Sequence, residues 1–160
     1  MYKHILIPTD GSVLSERAID HGVKLAKALG AHVTAVTVTA PFHVSAFEAG
    51  FIAAYKEYIA THVAKYLSAA KEIATAASVT CDIVQVEHEQ PHQAIINTAK
   101  RLDCDVIVMA SHGRRGVSAI VLGSETIKVL THSTIPVVVV RAEPTLRAAE
   151  RLRPAVAPSV

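Results

Sequence analysis

The sequence predicts an α/β fold: a parallel sheet held between two layers of helices. Three observations carry this expectation. Short β-branched runs alternate along the chain with amphipathic stretches of helical period, the pattern of a parallel sheet with helical crossovers. The Val137-Val138-Val139-Val140 run is uninterrupted, as in a strand covered on both faces. Gly30, Pro41 and Pro91 fall at the boundaries between these segments, where a helix end, a break or a helix start belongs.

Taken in order, Ile5-Leu6-Ile7 is the first strand, closed by the turn Pro8-Thr9-Asp10-Gly11. Ser12 suits the cap of a helix whose apolar face is Ala18, Val23, Leu25, Ala26 and Leu29, with Gly30 at its end. Val33 to Val38 is the second strand. A long helix follows from about Ser45 to Ala77, with Ile52, Ile59, Val63, Tyr66, Ala70 and Ile73 on one face. Cys81 to Val86 is the third strand, and Pro91 opens a helix reaching Leu102. Val106 to Met109 is the fourth strand, Glu125 to Leu130 a short helix, and Pro136 to Val140 the fifth strand.

Bulk properties narrow the function classes. With 160 residues, 51% of them hydrophobic and 19% charged, the chain is expected to build one domain with a sizeable core. A net charge of +2, with no basic block before the tail, speaks against nucleic acid as a partner. The opening apolar run is too short for a leader, and no stretch is long enough to span a bilayer. Cys81 and Cys104 read as small buried hydrophobes in a reducing compartment, so a cytoplasmic location is expected.

The densest functional signal is the segment Met109-Ala110-Ser111-His112-Gly113-Arg114-Arg115-Gly116, continuing to Gly123-Ser124. A strand precedes it and a helix follows it. Such a loop offers backbone N–H groups to an anion, and the helix start adds unpaired donors and the positive end of its dipole. In open α/β sheets ligands bind beyond the carboxyl ends of the strands, where the strand order reverses. The Pro8–Ser12 turn and the Ala110–Gly123 loop are the two candidates for the walls of such a crevice.

Together, Pro8-Thr9-Asp10-Gly11-Ser12, the helix ending Leu29-Gly30-Ala31 and the Gly113…Gly123-Ser124 loop resemble the universal stress proteins. The likeness spans about Tyr2 to Arg141. Nucleotide-binding members carry Gly-x-x-Gly, nine residues, then Gly-Ser or Gly-Thr. Here Ala110-Ser111-His112-Gly113 is followed by nine residues, Arg114 to Leu122, and then Gly123-Ser124. Ala110 replaces the first glycine. A nucleotide fits beside it if the alanine is extended, because its methyl disfavours mainly the left-handed backbone.

The resemblance implies an adenine nucleotide alpha hydrolase-like, five-stranded sheet of order 3-2-1-4-5. It implies one domain over residues 1–141, with 142–160 as a partly flexible tail. Its expected ligand is ATP, accompanied by magnesium. Pro8, Thr9 and Asp10 would flank the ribose or phosphates, Asp10 being the candidate for the phosphate-bound magnesium. Val38 would offer its backbone to the adenine edge, and Met109 and Ala110 would lie against the base and ribose. His112, Gly113, Arg114, Gly116, Gly123, Ser124 and Glu125 would surround the phosphates. The likeness also implies a homodimer through residues 136–140, a strand whose open apolar edge invites pairing in any case.

Other chemistries are set aside by their missing parts. No Gly-Lys-Ser/Thr opens a helix, and no Gly-x-Gly-x-x-Gly follows the first strand. His88-Glu89-Gln90-Pro91-His92 matches His-Glu-x-x-His, but Pro91 interrupts the continuous helix that a zinc site needs. The expected function is therefore a stress-response, ATP-binding module whose occupancy alters its conformation or its binding of an unidentified protein partner. A nucleotide-free dimeric interaction or chaperone-like protein is the first alternative. A weak ATP-hydrolysing enzyme is the second, with no catalytic residue assigned.

Overall fold

The computed structural model describes residues 1–41, 49–112 and 122–141. Its elements run β1 (His4–Pro8), α1 (Val13–Leu29), β2 (His32–Thr39), α2 (Ala49–Ala76), β3 (Cys81–Glu87), α3 (Pro91–Arg101), β4 (Val106–Ala110), α4 (Ser124–His132) and β5 (Val137–Val140). All strand pairs are parallel, in the order β3-β2-β1-β4-β5. Class, strand count and order are those expected from the sequence.

Side-chain alternation on the strands builds two cores, one on each face of the sheet. Ile5, Ile7, Val33, Ala35, Val106 and Val108 point to the layer formed by α1 and α2. There they meet Ile19, Val23 and Ala26, and then Val63, Leu67, Ala70 and Ala74. Leu6, Val36, Ile107 and Met109 point the other way, onto Ile95, Ile96 and Ala99 of α3 and Val129 of α4. The result is a three-layer sandwich.

Local chemistry sets the element ends. The Ser12 hydroxyl accepts the Ser15 N–H at 3.2 Å, capping α1 as expected, and Gly30 closes that helix. At the amino edge of the sheet the Asp105 carboxylate accepts the N–H groups of Lys3 at 2.6 Å and His4 at 2.9 Å. Those two bonds hold its carboxyl below the usual aspartate range. His4 Nδ1 lies 3.0 Å from the Leu102 carbonyl, which only accepts, so Nδ1 carries the proton. Nε2 then accepts from the Thr34 hydroxyl at 2.8 Å. Burial, and then the neighbouring His32, lower the His4 pKa and favour this neutral form.

Most elements end one or two residues from their expected bounds, and α2, β5 and β4 differ in ways that bear on the site. Helix α2 is described from Ala49, and the expected start near Ser45 lies outside the described residues. Its fully buried positions are Val63, Leu67, Ala70 and Ala74, so Ile52, Ile59 and Ile73 are at most half-buried. At about 1.5 Å per residue, α2 is longer than the strands it covers, and its first half overhangs the carboxyl edge of the sheet. Phe51 and Tyr58 on that overhang are 55% and 58% exposed. Strand β5 is only half-buried throughout, not covered on both faces. It stands at the sheet edge, where α1 and α4 each overlap it in part. Strand β4 runs one residue further than expected, to Ala110. Cys81 and Cys104 are free thiols, and burial pushes Cys104 up to about 11. Among the described residues no helix is long and apolar enough to cross a membrane.

Burial separates two isoleucines sharply. Ile7 is 0% exposed and Ile83, on edge strand β3, is 42% exposed. Ile7→Ala is expected to cost about 2–5 kcal/mol in urea unfolding. Ile83→Thr is expected to stay within about 0.5 kcal/mol of the parent protein.

Candidate functional site

From β1 the chain moves outward through β2 and β3, and from β4 it moves the opposite way to β5. The β1–β4 pair is therefore the point where the strand order reverses, and its carboxyl edge is the position where such sheets bind ligands. The loops after β1 and β4 leave the sheet side by side there.

The β1 loop is rigidly held. Thr9 donates its N–H to the Val36 carbonyl at 2.8 Å, and its own carbonyl accepts the Thr37 hydroxyl at 3.0 Å. Its buried hydroxyl lies 3.1 Å from that of Ser15. Thr9 thus ties the loop to β2 and α1 by hydrogen bonds made inside the protein. Asp10 Oδ1 accepts the Ser12 N–H at 3.0 Å, closing a tight turn around Gly11. Gly11 has φ +74°, left-handed geometry that a side chain strains. The Tyr66 ring of α2 fills the space where a side chain at residue 11 would stand.

The β4 loop is closed at its base by backbone. Gly123 donates its N–H to the Ser111 carbonyl at 2.8 Å, and Ser111 donates to the Val140 carbonyl at 2.8 Å. Gly123 has φ −66°, open to any residue, so its glycine answers a different need. A Cβ there would lie 3.1 Å from His112 Cα and 3.3 Å from His112 Cβ. Close approach of the two loop ends is what calls for glycine. His112 Nδ1 lies 3.2 Å from the Ser111 hydroxyl. Gly113, Arg114, Arg115 and Gly116 lie outside the described residues.

Ala110, the residue that departs from the family motif, is the last residue of β4 and is extended. Its methyl packs with Leu14 and Ala18 of α1. Met109, its neighbour, packs on the opposite face with α3 and α4. The extra methyl is thus absorbed into the α1 interface. Its carbonyl accepts the buried Thr126 hydroxyl at 3.0 Å, which links β4 to α4. Val38 is half-buried on the Met109 face, two residues beyond Val36, the partner of Pro8.

Helix α4 begins with Ser124 as its first helical residue and Gly123 as its cap. Ser124 is thus inside the helix and does not cap it. Gly123 has no side chain to cap with, and among the described residues no side-chain cap bond is made at the helix start. The first intrahelical bond runs from Ile127 N–H to the Gly123 carbonyl at 3.0 Å. The backbone donors ahead of it are those that a helix N-terminus offers to an anion.

Glu125 turns towards α3. Its carboxylate accepts His92 N–H at 2.9 Å, meets His92 Nδ1 at 3.2 Å and accepts Lys128 Nζ at 2.8 Å. It supplies the cap that Gln90, ahead of α3, does not. Burial pushes the Glu125 carboxyl up, but the bonds from Lys128 and His92 outweigh it and hold the group below the usual glutamate range. His88 lies before α3 and accepts the Gln90 N–H at 2.9 Å, while Pro91 opens the helix and His92 lies within it. The two histidines of His88-Glu89-Gln90-Pro91-His92 therefore do not share a helix.

Sequence reasoning missed Thr126 and the placement of Tyr66, which it assigned only to the apolar face of α2. The Asp10-Gly11 pair carried a partial signal, since a glycine, having no side chain, leaves room for a neighbouring ring. A separate cavity of about 370 Å³ lies at the amino edge of the sheet, lined in part by His4, Thr34, Cys81, Asp82 and Leu102. It shares no residue with the β1 and β4 loops.

The model of the universal stress protein family matches residues 1–141. The chain is 32% identical over 143 residues to universal stress protein MJ0531 of Methanocaldococcus jannaschii, covering 88% of this chain and 83% of that one. Among solved structures it is similar to hypothetical protein MJ0577, at 27% identity and a TM-score of 0.78, over 91% of this chain and 99% of that one. The same fold is found in a universal stress protein in complex with cAMP, at 23% identity and TM-score 0.67, covering 89% and 98% of the two chains. It recurs in the universal stress protein from Archaeoglobus fulgidus in complex with dAMP, at 20% identity and TM-score 0.58, covering 87% and 98%.

The lowered Glu125 pKa has a pH consequence. Its stabilisation is fully present above the unfolded glutamate value of about 4.3 and is lost as pH falls through the lower folded value. Glu125→Gln is therefore expected to lower the melting temperature at pH 7, and the gap to wild type should close in melts below about pH 4.

Proposed function

The chain belongs to the universal stress protein family, and from that premise we propose that it binds an adenine nucleotide, with ATP as the expected ligand, between the β1 and β4 loops. The observation that carries this reading is the α4 start, with no side-chain cap, beside the Gly123–Ser111 closure at the strand-order reversal. Open N–H groups and the helix dipole favour phosphate there. The extended Ala110, its methyl spent on Leu14 and Ala18, supports the same reading. Relatives of this fold solved with cAMP and dAMP support an adenine nucleotide as the ligand class.

In this reading Pro8, Thr9 and Asp10 form one wall, and Ser124 with its hydroxyl and N–H groups forms the phosphate end. Asp10 is the side chain suited to a magnesium ion bound with the phosphates, which would neutralise phosphate charge. The Asp10 oxygen Oδ1 already accepts Ser12 N–H, so a cation would find a pre-oriented carboxylate. Val38 and Met109 supply the apolar face for the base. Glu125 contributes by fixing α4 to α3. Binding changes stability and shape by linkage and needs no turnover. The protein acts as a stress-response module whose nucleotide state is read by a partner.

A second copy of the chain is the proposed first partner, through β5. Pro136 and Val140 carbonyls accept bonds from β4, so Val137 and Val139 turn their backbone groups to the open edge. Val139→Pro removes an outward N–H and leaves the β4 ladder intact. It is expected to convert a dimer to a monomer in sedimentation equilibrium. A variant that stays dimeric places the interface elsewhere.

Calorimetric titration with ATP and magnesium tests the site. Wild type is expected to bind, and at 100-fold excess over Kd to gain about 2.7 kcal/mol of stability. Gly123→Val should abolish both effects while the chain remains folded. Binding that survives this change puts the nucleotide outside the crevice.

A further inference from the structure

Tyr66 lies on α2, outside every element that carries the site, yet it packs against the Gly11 turn of the site. A Cβ built on Gly11 would fall 2.2 Å from Tyr66 Cδ1 and Cε1 and 2.6 Å from Cζ. The Cδ1–Cε1 side of the ring therefore occupies the space beside Gly11 that a side chain would fill. Gly11 in turn is the centre of the turn that orients Asp10, whose Oδ1 holds the Ser12 N–H. The ring is half-buried and has its own support on α2. His62 meets it edge-on with ring centroids 6.2 Å apart, and Tyr58 lies 4.0 Å from His62. His62 is fixed by its Nδ1, 2.8 Å from the Tyr58 carbonyl.

We propose that Tyr66 is a positioning residue for the nucleotide crevice: its ring clamps Gly11, and so holds Asp10 and Ser12 in the geometry that receives the ligand. The proposal rests on the nucleotide reading of the crevice. Gly11 alone, with φ +74° and no side chain, has more backbone freedom than any other residue type. A ring packed on it removes that freedom before the ligand arrives, which is how preorganisation raises affinity. The Tyr58–His62–Tyr66 column also joins the crevice to the exposed overhang of α2, so the clamp sits where a partner touching that overhang would move it.

The test titrates ATP with magnesium into the full chain by calorimetry, well below the melting temperature of each variant, and follows amide exchange in the ligand-free protein. Tyr66→Phe keeps the ring and should bind within about twofold of wild type, whereas Tyr66→Leu should bind about tenfold more weakly. The Gly11 and Ser12 amides should exchange faster in the leucine variant before any ligand is added. A melting temperature that falls with unchanged affinity and unchanged exchange shows a packing residue only and overturns the proposal. So does an equal loss in Tyr66→Phe, which would assign the effect to the hydroxyl. If Tyr66→Leu does not fold, His62→Ala removes the ring's lateral support and is read by the same two criteria. A wild type that binds no ATP removes the nucleotide reading itself; a wild type that binds, beside an unaffected leucine variant, removes the clamp alone.

Discussion

Strands β1 and β4 are side by side although Ile5 pairs with Val106 across most of the chain, and the arrangement of the crevice follows from that pairing. Parallel neighbours must be joined by long crossovers, so the contact closes a large loop before any local reward is available. The amino edge shows how it is secured. Asp105 accepts the N–H groups of both Lys3 and His4, and its own N–H donates to the His4 carbonyl at 2.8 Å. His4 reaches on to Leu102 and Thr34, so the start of β1 is bonded to the α3–β4 junction and to β2. With the amino edge in register, the carboxyl edge places the Thr9–Ser12 turn beside Ser111 and Gly123.

The two helical layers divide the labour at that edge. The α1/α2 layer receives Ala110 and presents Tyr66, so it shapes the turn after β1 and absorbs the departure from the family motif. The α3/α4 layer receives Met109 and holds α4 through the Thr126–Ala110 bond and the Glu125–His92 contacts. One layer thus sets the carboxylate wall and the other aims the helix N-terminus. A substitution in either core alters the crevice without touching a ligand.

Much of this was legible in the sequence, and the reasons are physical. Alternation in Ile5-Leu6-Ile7 and β-branching in Val137 to Val140 report strands because side-chain period and backbone preference are local properties. Ser12 and Gly30 marked the ends of α1 for the same reason. The spacing of Gly113, Gly123 and Ser124 pointed to an anion-binding loop and to the family. What escaped depends on distant contacts. The edge position of Val137 to Val140 was expected from the strand order, but their half-burial depends on how far α1 and α4 reach over that edge, which a run of valines does not encode. The bonds from the Glu125 carboxylate to His92 of α3 join residues far apart in sequence, so no local pattern reports them. Tyr66 fitted the helical period of α2, and only the fold shows that this position meets Gly11. Ala110 was ambiguous until its methyl had a direction.

On the proposed reading the carboxyl-edge crevice, and not the amino-edge cavity beside His4 and Asp82, receives the adenine nucleotide. Amide chemical-shift mapping of the full chain during titration with ATP and magnesium separates the two directly. Shifts are expected to concentrate at Asp10 to Ser12, Ser111 to His112 and Gly123 to Thr126, with His4, Thr34, Asp82 and Leu102 unmoved. Shifts centred on those four residues, with the crevice amides silent, would contradict it.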